Sequence, residues 1–427
     1  MKYALINGKL LDGTENMQVR EGVSILVENG FIKDIAENGS DLSGYEKIDL
    51  KGKYIMPGLI NMHVHLAGNG KPQKKQRDNE KLVNKIMSTS LTRAVAYNLV
   101  SSFAKTELLS GVTTIRTVGG LGNFDTRLRD DINSGKKQGP RILAANTGIS
   151  VPGGHMAGSV AIAAKNIDEA LAQLEKSRKE NVDLIKLMIT GGVMDAKEKG
   201  VPGELKMSPE MVKAVCDKAH KYGYTVAAHV ESPEGVRVAL ENGVDSIEHG
   251  AKPDGHIINL FKERGAFLCT TLSPALPYAL FDRSLTNATE VEQYNGNVVF
   301  KGIIECSKAA IENNIPVVLG NDVGCPWITQ YDFYRELYYF TKYVGVSNKF
   351  ALYTATLNSA RMAGIDNVTG SIEKGKSADM IVTEKNPLDD IRALRNIDTV
   401  IFCGNIINNP KVKVKKKVSK ELDKFLY

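Results

Sequence analysis

The run GLINMHVHL places His63 and His65 two residues apart, so in an extended strand both imidazoles lie on one face. Alone, such a pair often does no more than satisfy a hydrogen bond. Here it has company. His155 in VPGGHMAG, His229 in TVAAHVES and His249 in DSIEHGA finish or follow apolar runs, and Asp322 stands near the end of IPVVLGNDVG. His256 opens an amphipathic segment and His220 lies in the helical DKAHKYG, so both read as structural. Lys186 is the odd member: in NVDLIKLMITGGV one ammonium sits among Leu, Ile, Met and Val. An amine with a pKa of about 10.4 in water loses its solvation there. It must give up its proton, find a partner or change chemically.

Neutral imidazole and carboxylate suit Zn²⁺ or a similar divalent ion, whereas an ammonium is no ligand at all. A neutral amine that takes up carbon dioxide becomes a carbamate, which is negative and offers two oxygens to bridge two cations. A ring of strand ends carrying His63, His65, Lys186, His229, His249 and Asp322 would then be a metal centre. A lone strand-end Asp is more often an N-cap; the company of four imidazoles makes Asp322 a candidate ligand.

Such a ring needs elements to position it. Apolar strand candidates (GVTTIRTVGG, RILAANTGI, LIKLMITGG, TVAAHVE, SIEHGA, AFLCTTL, PVVLGNDVG) alternate with amphipathic helical segments such as NIDEALAQLEKSRKE, SPEMVKAVCDKAHKYG and SPEGVRVALENG. Strands apolar on both faces, alternating with helices, mark parallel α/β architecture. Polar residues at strand ends are where barrel active sites collect their groups. The expected fold is therefore an α/β (β/α)8 TIM barrel over residues 58–365. A doubly wound open sheet is the runner-up, weakened by the lack of an early Gly-x-Gly-x-x-Gly. Short β-branched strands with Gly and Asn turns fill both ends of the chain. They predict one small β-sandwich domain built from residues 1–57 and 366–410, followed by a basic tail, 411–427.

An apolar fraction of 42% and a charged fraction of 24% describe a globule with a large core. The net charge of +6 does not point to nucleic acid, because the tail alone holds seven lysines and two acids. A solvated terminal helix is the expectation there. Five scattered cysteines with no C-x-x-C pair fit a reducing compartment. No leader pattern opens the sequence and no run is long enough for a membrane span, which predicts a cytoplasmic protein with no membrane partner. Residues 66–93 form a long basic insertion after the first central strand, expected to act as a lid or as a contact in a homo-oligomer.

The same residues carry a family likeness. PGLINMHVHL, LIKLMITGG, AAHVES, SIEHGA and LGNDVG resemble, in order, the motifs of the amidohydrolase superfamily, in its binuclear group with a carboxylated lysine. GVTTIRTVGG, LRDDINSG, GPRILAANTGIS, PGGHMAG and GVDSIEHGAKPD are similar to its imidazolonepropionase-related branch of prolidase-like dipeptidases and carboxypeptidases. GSIEKGKSADMIV and NPLDDI extend the likeness through the C-terminal strands. The resemblance implies two divalent ions, zinc foremost. His63, His65 and Asp322 would bind one, His229 and His249 the other, and N6-carboxylated Lys186 would bridge them. It further implies attack by a metal-bridging hydroxide, with Asp322 moving its proton to the leaving amine and His155 touching the scissile carbonyl or the substrate carboxylate. Deaminase members usually bind one metal and lack the lysine, so Lys186 argues against deamination. One position departs: dipeptidase-like relatives often have a tyrosine two residues after the third histidine, to hold the substrate carboxylate, and here Glu231 stands there. Either another cation intervenes or the substrate presents something neutral or basic to it.

The expected function is thus hydrolysis of an amide bond in a small substrate, a dipeptide or N-acyl amino acid. The alternatives are a cyclic amide, lactone or organophosphate ester at the same centre, or a silent scaffold that kept the fold. Nothing structural would demand all six centre residues together, which counts against the scaffold.

Overall fold

Ser-Pro-Glu occurs at residues 208–210 and 232–234, and each time it opens a helix. The serine side chain caps the first turn, proline sits where no N–H is needed and glutamate favours the positive helix end. The Pro209–Lys221 and Pro233–Glu241 helices are two of a series that also includes Ile167–Lys179, Gly255–Arg264 and Glu290–Glu312. Thr289 and Glu292 close a reciprocal capping box on the last of these. The computed structural model describes residues 2–37, 39–72 and 78–427.

Between the helices run short strands, most of them buried on both faces. They are β1 Leu59–Val64, β2 Val112–Thr117, β3 Arg141–Ala144, β4 Gly148–Ser150, β5 Ala161–Ala163, β6 Leu184–Met188, β7 Thr225–Val230, β8 Ser246–His249, β9 Phe267–Thr270 and β10 Val317–Leu319. Every residue of β1, β2, β6, β8, β9 and β10 is buried. Each buried Val, Leu or Ile contributes about 1.5–3 kcal/mol, so packing rather than propensity holds these strands. One sheet has the order β5-β4-β6-β7-β8-β9-β10, with all its pairings parallel. A second has the order β1-β2-β3. Backbone hydrogen bonds join the sheets at two places: Asp183 N–H to Ala144 O at 2.8 Å, between the start of β6 and β3, and Asp322 N–H to His63 O at 3.0 Å and His65 N–H to Val323 O at 2.9 Å, between the segment after β10 and β1. At that second seam Gly320 lies so close to β1 that a Cβ would fall 2.3 Å from the His63 Cβ.

The chain forms two compact units, one of Met62–Ala104 and Ile115–Gln330 and the other of Met1–Asn61, Lys105–Thr114 and Tyr331–Tyr427. In the latter, a four-stranded sheet runs Phe31–Glu37, Val23–Glu28, Lys2–Ile6, Glu46–Asp49. A five-stranded sheet runs Asn405–Asn408, Ile397–Phe402, Met380–Thr383, Tyr54–Pro57, Lys9–Leu10. Met380–Thr383 pairs antiparallel with Tyr54–Pro57, so the two chain ends share a sheet. Tyr3, Ile25, Ile55, Met380 and Ile401 belong to one apolar cluster that both sheets feed.

One segment, the tail, differs from the sequence expectation. The tail does form a helix, Lys416–Leu422, but Val418 and Leu422 are buried and Arg335 reaches Asp423 at 2.7 Å, so one face is docked. Residues 66–93 contain α1 Asn79–Met87 and the start of α2 Ser90–Leu109. Residues 73–77 of that segment lie outside the described ones, so the expected lid is only partly in view. Among the described residues no helix is long and apolar enough to cross a membrane.

Candidate metal centre

β1 ends at Val64, and the alternation of its side chains turns His63 and His65 to one side, with ring centroids 5.3 Å apart. The other residues arrive from neighbouring strand ends. Lys186 is the middle residue of β6, His229 is the fifth of β7 and His249 closes β8. Asp322 follows β10 by three residues. The His249 ring lies 4.8 Å from that of His63 and 4.6 Å from that of His229. The Nε2 atoms of His63 and His65 lie 3.6 and 3.4 Å from Asp322 Oδ1. Five of the six residues named from the sequence thus lie at or just beyond strand ends, and Lys186 lies mid-strand in β6.

Each imidazole has a nitrogen held by a neighbouring group. His63 Nδ1 meets Glu248 Oε2 at 2.7 Å, and His65 Nδ1 donates to Gly119 O at 2.9 Å. His249 Nδ1 pairs with Thr271 Oγ1 at 2.6 Å, and His229 Nε2 donates to Gly191 O at 3.3 Å. Partners of this kind fix ring orientation and tautomer around a metal. Burial first of all lowers the pKa of all four rings, that of His65 to about 4. They are held in the neutral form that binds metal.

Two further atoms of the site stand out. Lys186 Nζ and Asp322 Oδ1 are buried without a hydrogen bond among the described residues. Burial brings the Lys186 amine down to about 8; Glu248 opposes that shift and Arg116 adds to it. Burial would raise the Asp322 carboxyl, but His63, His65, His249 and Lys186 reverse this and hold it below the usual carboxylate range. His249 at φ +70° and Asp322 at φ +55° occupy left-handed backbone. That conformation costs a non-glycine residue roughly 1–3 kcal/mol and gathers at functional sites. His63, His249 and Asp322 bring ligand atoms within 4.8 Å of one another, as do His229, Glu231 and His249. The residues fit a divalent-metal centre: neutral nitrogens, a carboxylate and buried polar atoms without partners.

His63, Glu248 and Cys269 form a third such group, but its acid is already engaged. Glu248 is fully buried, takes the Arg116 guanidinium at 2.5 Å and accepts from the Ser246 hydroxyl. Burial pushes the Cys269 thiol well up, so it is not a thiolate. Glu248 therefore orients His63, and Arg116, which also donates to Met62 O at 2.7 Å, anchors Glu248.

Above the centre lies a cavity of about 450 Å³ whose lining includes His155, His229, Glu231 and Asp322. His155 stacks on His229 with centroids 4.0 Å apart and planes at 6°. Its Nδ1 meets Asp195 Oδ2 at 2.6 Å, and the same oxygen takes the Gly192 N–H at 2.9 Å. Burial would lower the His155 pKa; Asp195, helped by Glu231 and Asp322, overrides it and raises it. Glu231 Oε2 accepts the Val193 N–H at 3.1 Å, and burial pushes this carboxyl up to about 8. Sequence reasoning missed Glu248, Arg116, Thr271 and Asp195. Its available signal was an acid inside SIEH and an arginine inside VTTIRT, each as out of place in a buried strand as Lys186.

A family model described as "Amidohydrolase family" matches residues 54–407. A prolidase-like protein from Bifidobacterium longum, known from its crystal structure, is 35% identical, with a TM-score of 0.87 over 99% of this chain and 98% of the other. A Xaa-Pro dipeptidase solved with methionine in its active site is 30% identical, with a TM-score of 0.83 over 96% of this chain and 100% of the other. The ochratoxinase of Aspergillus niger is 24% identical over 393 residues, 84% of this chain and 76% of that protein.

Proposed function

The chain belongs to the amidohydrolase family, and from that premise we propose that it hydrolyses the amide bond of a dipeptide or N-acyl amino acid at a pair of divalent ions, zinc in the first instance. The observation that carries this reading is the gathering of four neutral imidazoles, each oriented by a neighbouring group, with two buried atoms that make no hydrogen bond among the described residues, Lys186 Nζ and Asp322 Oδ1. His63, His65 and Asp322 would hold one ion and His229 and His249 the other, with Lys186, carboxylated on Nζ, touching both. An amine brought down to about 8 is available as the free base that carbon dioxide needs. Such ions, when bound, acidify water and polarise a carbonyl.

The chain's own groups then divide the remaining work. Asp322 takes a proton from the attacking water and returns it to the leaving nitrogen, which is the general acid–base step an amide requires. His155, held on Nδ1 by Asp195 and lining the cavity, is left with Nε2 to donate to the substrate carbonyl. Glu248 and Arg116 keep His63 in register. The bonds at the two seams between the sheets support reading the parallel strands as one closed (β/α)8 barrel, and the shared sheet supports a small β domain made from both chain ends.

The test is a hydrolysis screen of dipeptides, N-acyl amino acids, cyclic amides, lactones and phosphotriesters with zinc-loaded protein, alongside metal analysis. Two ions per chain and turnover of linear amides are expected. Turnover confined to lactones or phosphotriesters would replace this reading, and protein that takes up no divalent ion would remove it.

A further inference from the structure

Two segments of the cavity wall supply none of the ligand candidates, yet both touch groups on which the centre depends. The first is the stretch after β6, residues 189–207. Backbone bonds close its base, Gly191 N–H to Glu204 O and Lys206 N–H to Ile189 O, each at 2.9 Å. Its residues Gly192, Val193, Met194 and Asp195 line the cavity, and Asp195 is the carboxylate that holds His155 Nδ1. The second segment is the Leu272–Leu280 helix. Thr271, the residue before it, meets His249 Nδ1, and Tyr278 near its end donates its hydroxyl to Met194 Sδ at 2.8 Å.

Both segments rest on consecutive residues of the Glu290–Glu312 helix, and all of them belong to one compact unit. Asn295 is fully buried. Its Nδ2 donates to Glu198 O and its Oδ1 accepts the Gly200 N–H, each at 2.8 Å. Both polar atoms of that side chain are thus spent on the tip of the 189–207 stretch, one on a backbone acceptor and one on a backbone donor, a pairing that suits a carboxamide. At the next residue, Gly296, a Cβ would fall 2.5 Å from the Tyr278 Cβ and 2.9 Å from its backbone carbonyl carbon, so the Leu272–Leu280 helix is seated against this glycine. A further tie to the tip, the ion pair of Lys199 with Glu290, is exposed and therefore weak.

We propose that Asn295 is a positioning residue for the reaction: by pinning the tip of residues 189–207 to the Glu290–Glu312 helix, it holds Asp195 where it meets His155, and so keeps His155 in place for the substrate carbonyl. This rests on the amide reading above and adds a residue to its machinery. Asn295 bonds to backbone groups of the stretch and acts through them. Glu198 and Gly200 are otherwise exposed, so without Asn295 water takes their backbone groups and the tip is released.

A double-mutant cycle on the zinc-loaded protein tests it, with the linear amide that the screen above turns over fastest. Asn295→Ala should lower kcat roughly 10- to 100-fold, the loss expected when a distant change misplaces a catalytic group, with a smaller change in KM and two zinc ions retained. In a His155→Ala background the same substitution should lower kcat by less than about twofold, because the group that it positions is gone. Asn295→Asp keeps the acceptor for Gly200 and gives up the donor to Glu198; it should show part of the same loss and the same dependence on His155. Tryptic cleavage after Lys197 and Lys199 gives a readout apart from turnover, and should be about 10-fold faster in Asn295→Ala, as the loss of two hydrogen bonds allows. Lys199→Ala, which removes only the exposed pair, should keep kcat within about twofold. Losses of equal size in both backgrounds would make Asn295 merely structural and overturn the inference, leaving the amide reading standing. Unchanged kcat or an unchanged cleavage rate in Asn295→Ala would overturn it in the same way. If no linear amide is turned over, the amide reading and this inference fall together.

Discussion

Lys186 is a base placed where a charge is costly, and the structure gives its amine no hydrogen bond among the described residues. A carbamate on that nitrogen, as proposed, would turn the misfit into a ligand. Lys186→Ala should lose bound metal and activity together, with partial rescue by a short-chain carboxylate that fills the vacancy; unchanged metal content would count against the assignment. Glu248 makes a second test at this scale. Its carboxylate orients His63 without being offered to the ion, so Glu248→Gln should weaken metal binding by about 10- to 100-fold, as removal of such supporting partners does. Titration against a competing chelator would read that loss, and wild-type affinity would leave His63 held by something else. The ligand candidates were legible because histidine and aspartate at the ends of apolar runs, and a lysine inside one, have little else to do. Glu248, Arg116, Thr271 and Asp195 were not read, because each acts through a residue on another strand or loop, and spacing along the chain is silent about that.

The elements put these side chains in place by close backbone approach as much as by strand period. Gly320 faces β1, where a Cβ would come within 2.3 Å of the His63 Cβ and 2.6 Å of its backbone nitrogen. Backbone cannot move aside as a flexible side chain can. Gly320→Ala should therefore displace β1, cost at least about 1–3 kcal/mol of stability and lower metal occupancy. Thermal melting with metal analysis checks both, and a variant matching wild type in the two measurements would show that the seam is looser than these distances require. The alternation of buried strands with capped helices was readable from apolar runs and from Ser-Pro-Glu, since both signals are local. Residues 66–93 were harder: α1 buries none of its residues, so no apolar stripe announces it, yet its first turn brings Asp78 and Glu80 to the cavity. The tail misled in the other direction, because its many lysines hide Val418 and Leu422, which anchor it.

Across the whole molecule, stability and metal content should be linked. A ligand that binds only the folded chain adds about 2.7 kcal/mol when present at a hundred times its dissociation constant, so chelation should lower the melting temperature. The metal-free protein should also be acid-sensitive in a defined window. His65 in the folded chain titrates near 4, against an ordinary value of 6.5, because it is buried. The unfolded chain therefore takes up the proton first. Stability is complete above about pH 6.5 and falls as the pH drops towards 4, by on the order of 3 kcal/mol from this residue alone. Melting of chelated protein between pH 8 and 4.5 checks the sign; a flat profile across that range would mean the imidazoles are not buried neutral. The most direct measurement of all is diffraction from metal-loaded crystals at neutral pH, with anomalous scattering to place the ions. The expected result is two ions roughly 3.5–4 Å apart, with density for a carbamate on Lys186 Nζ reaching both. An unmodified amine at Lys186, remote from fully occupied metal positions, would contradict it.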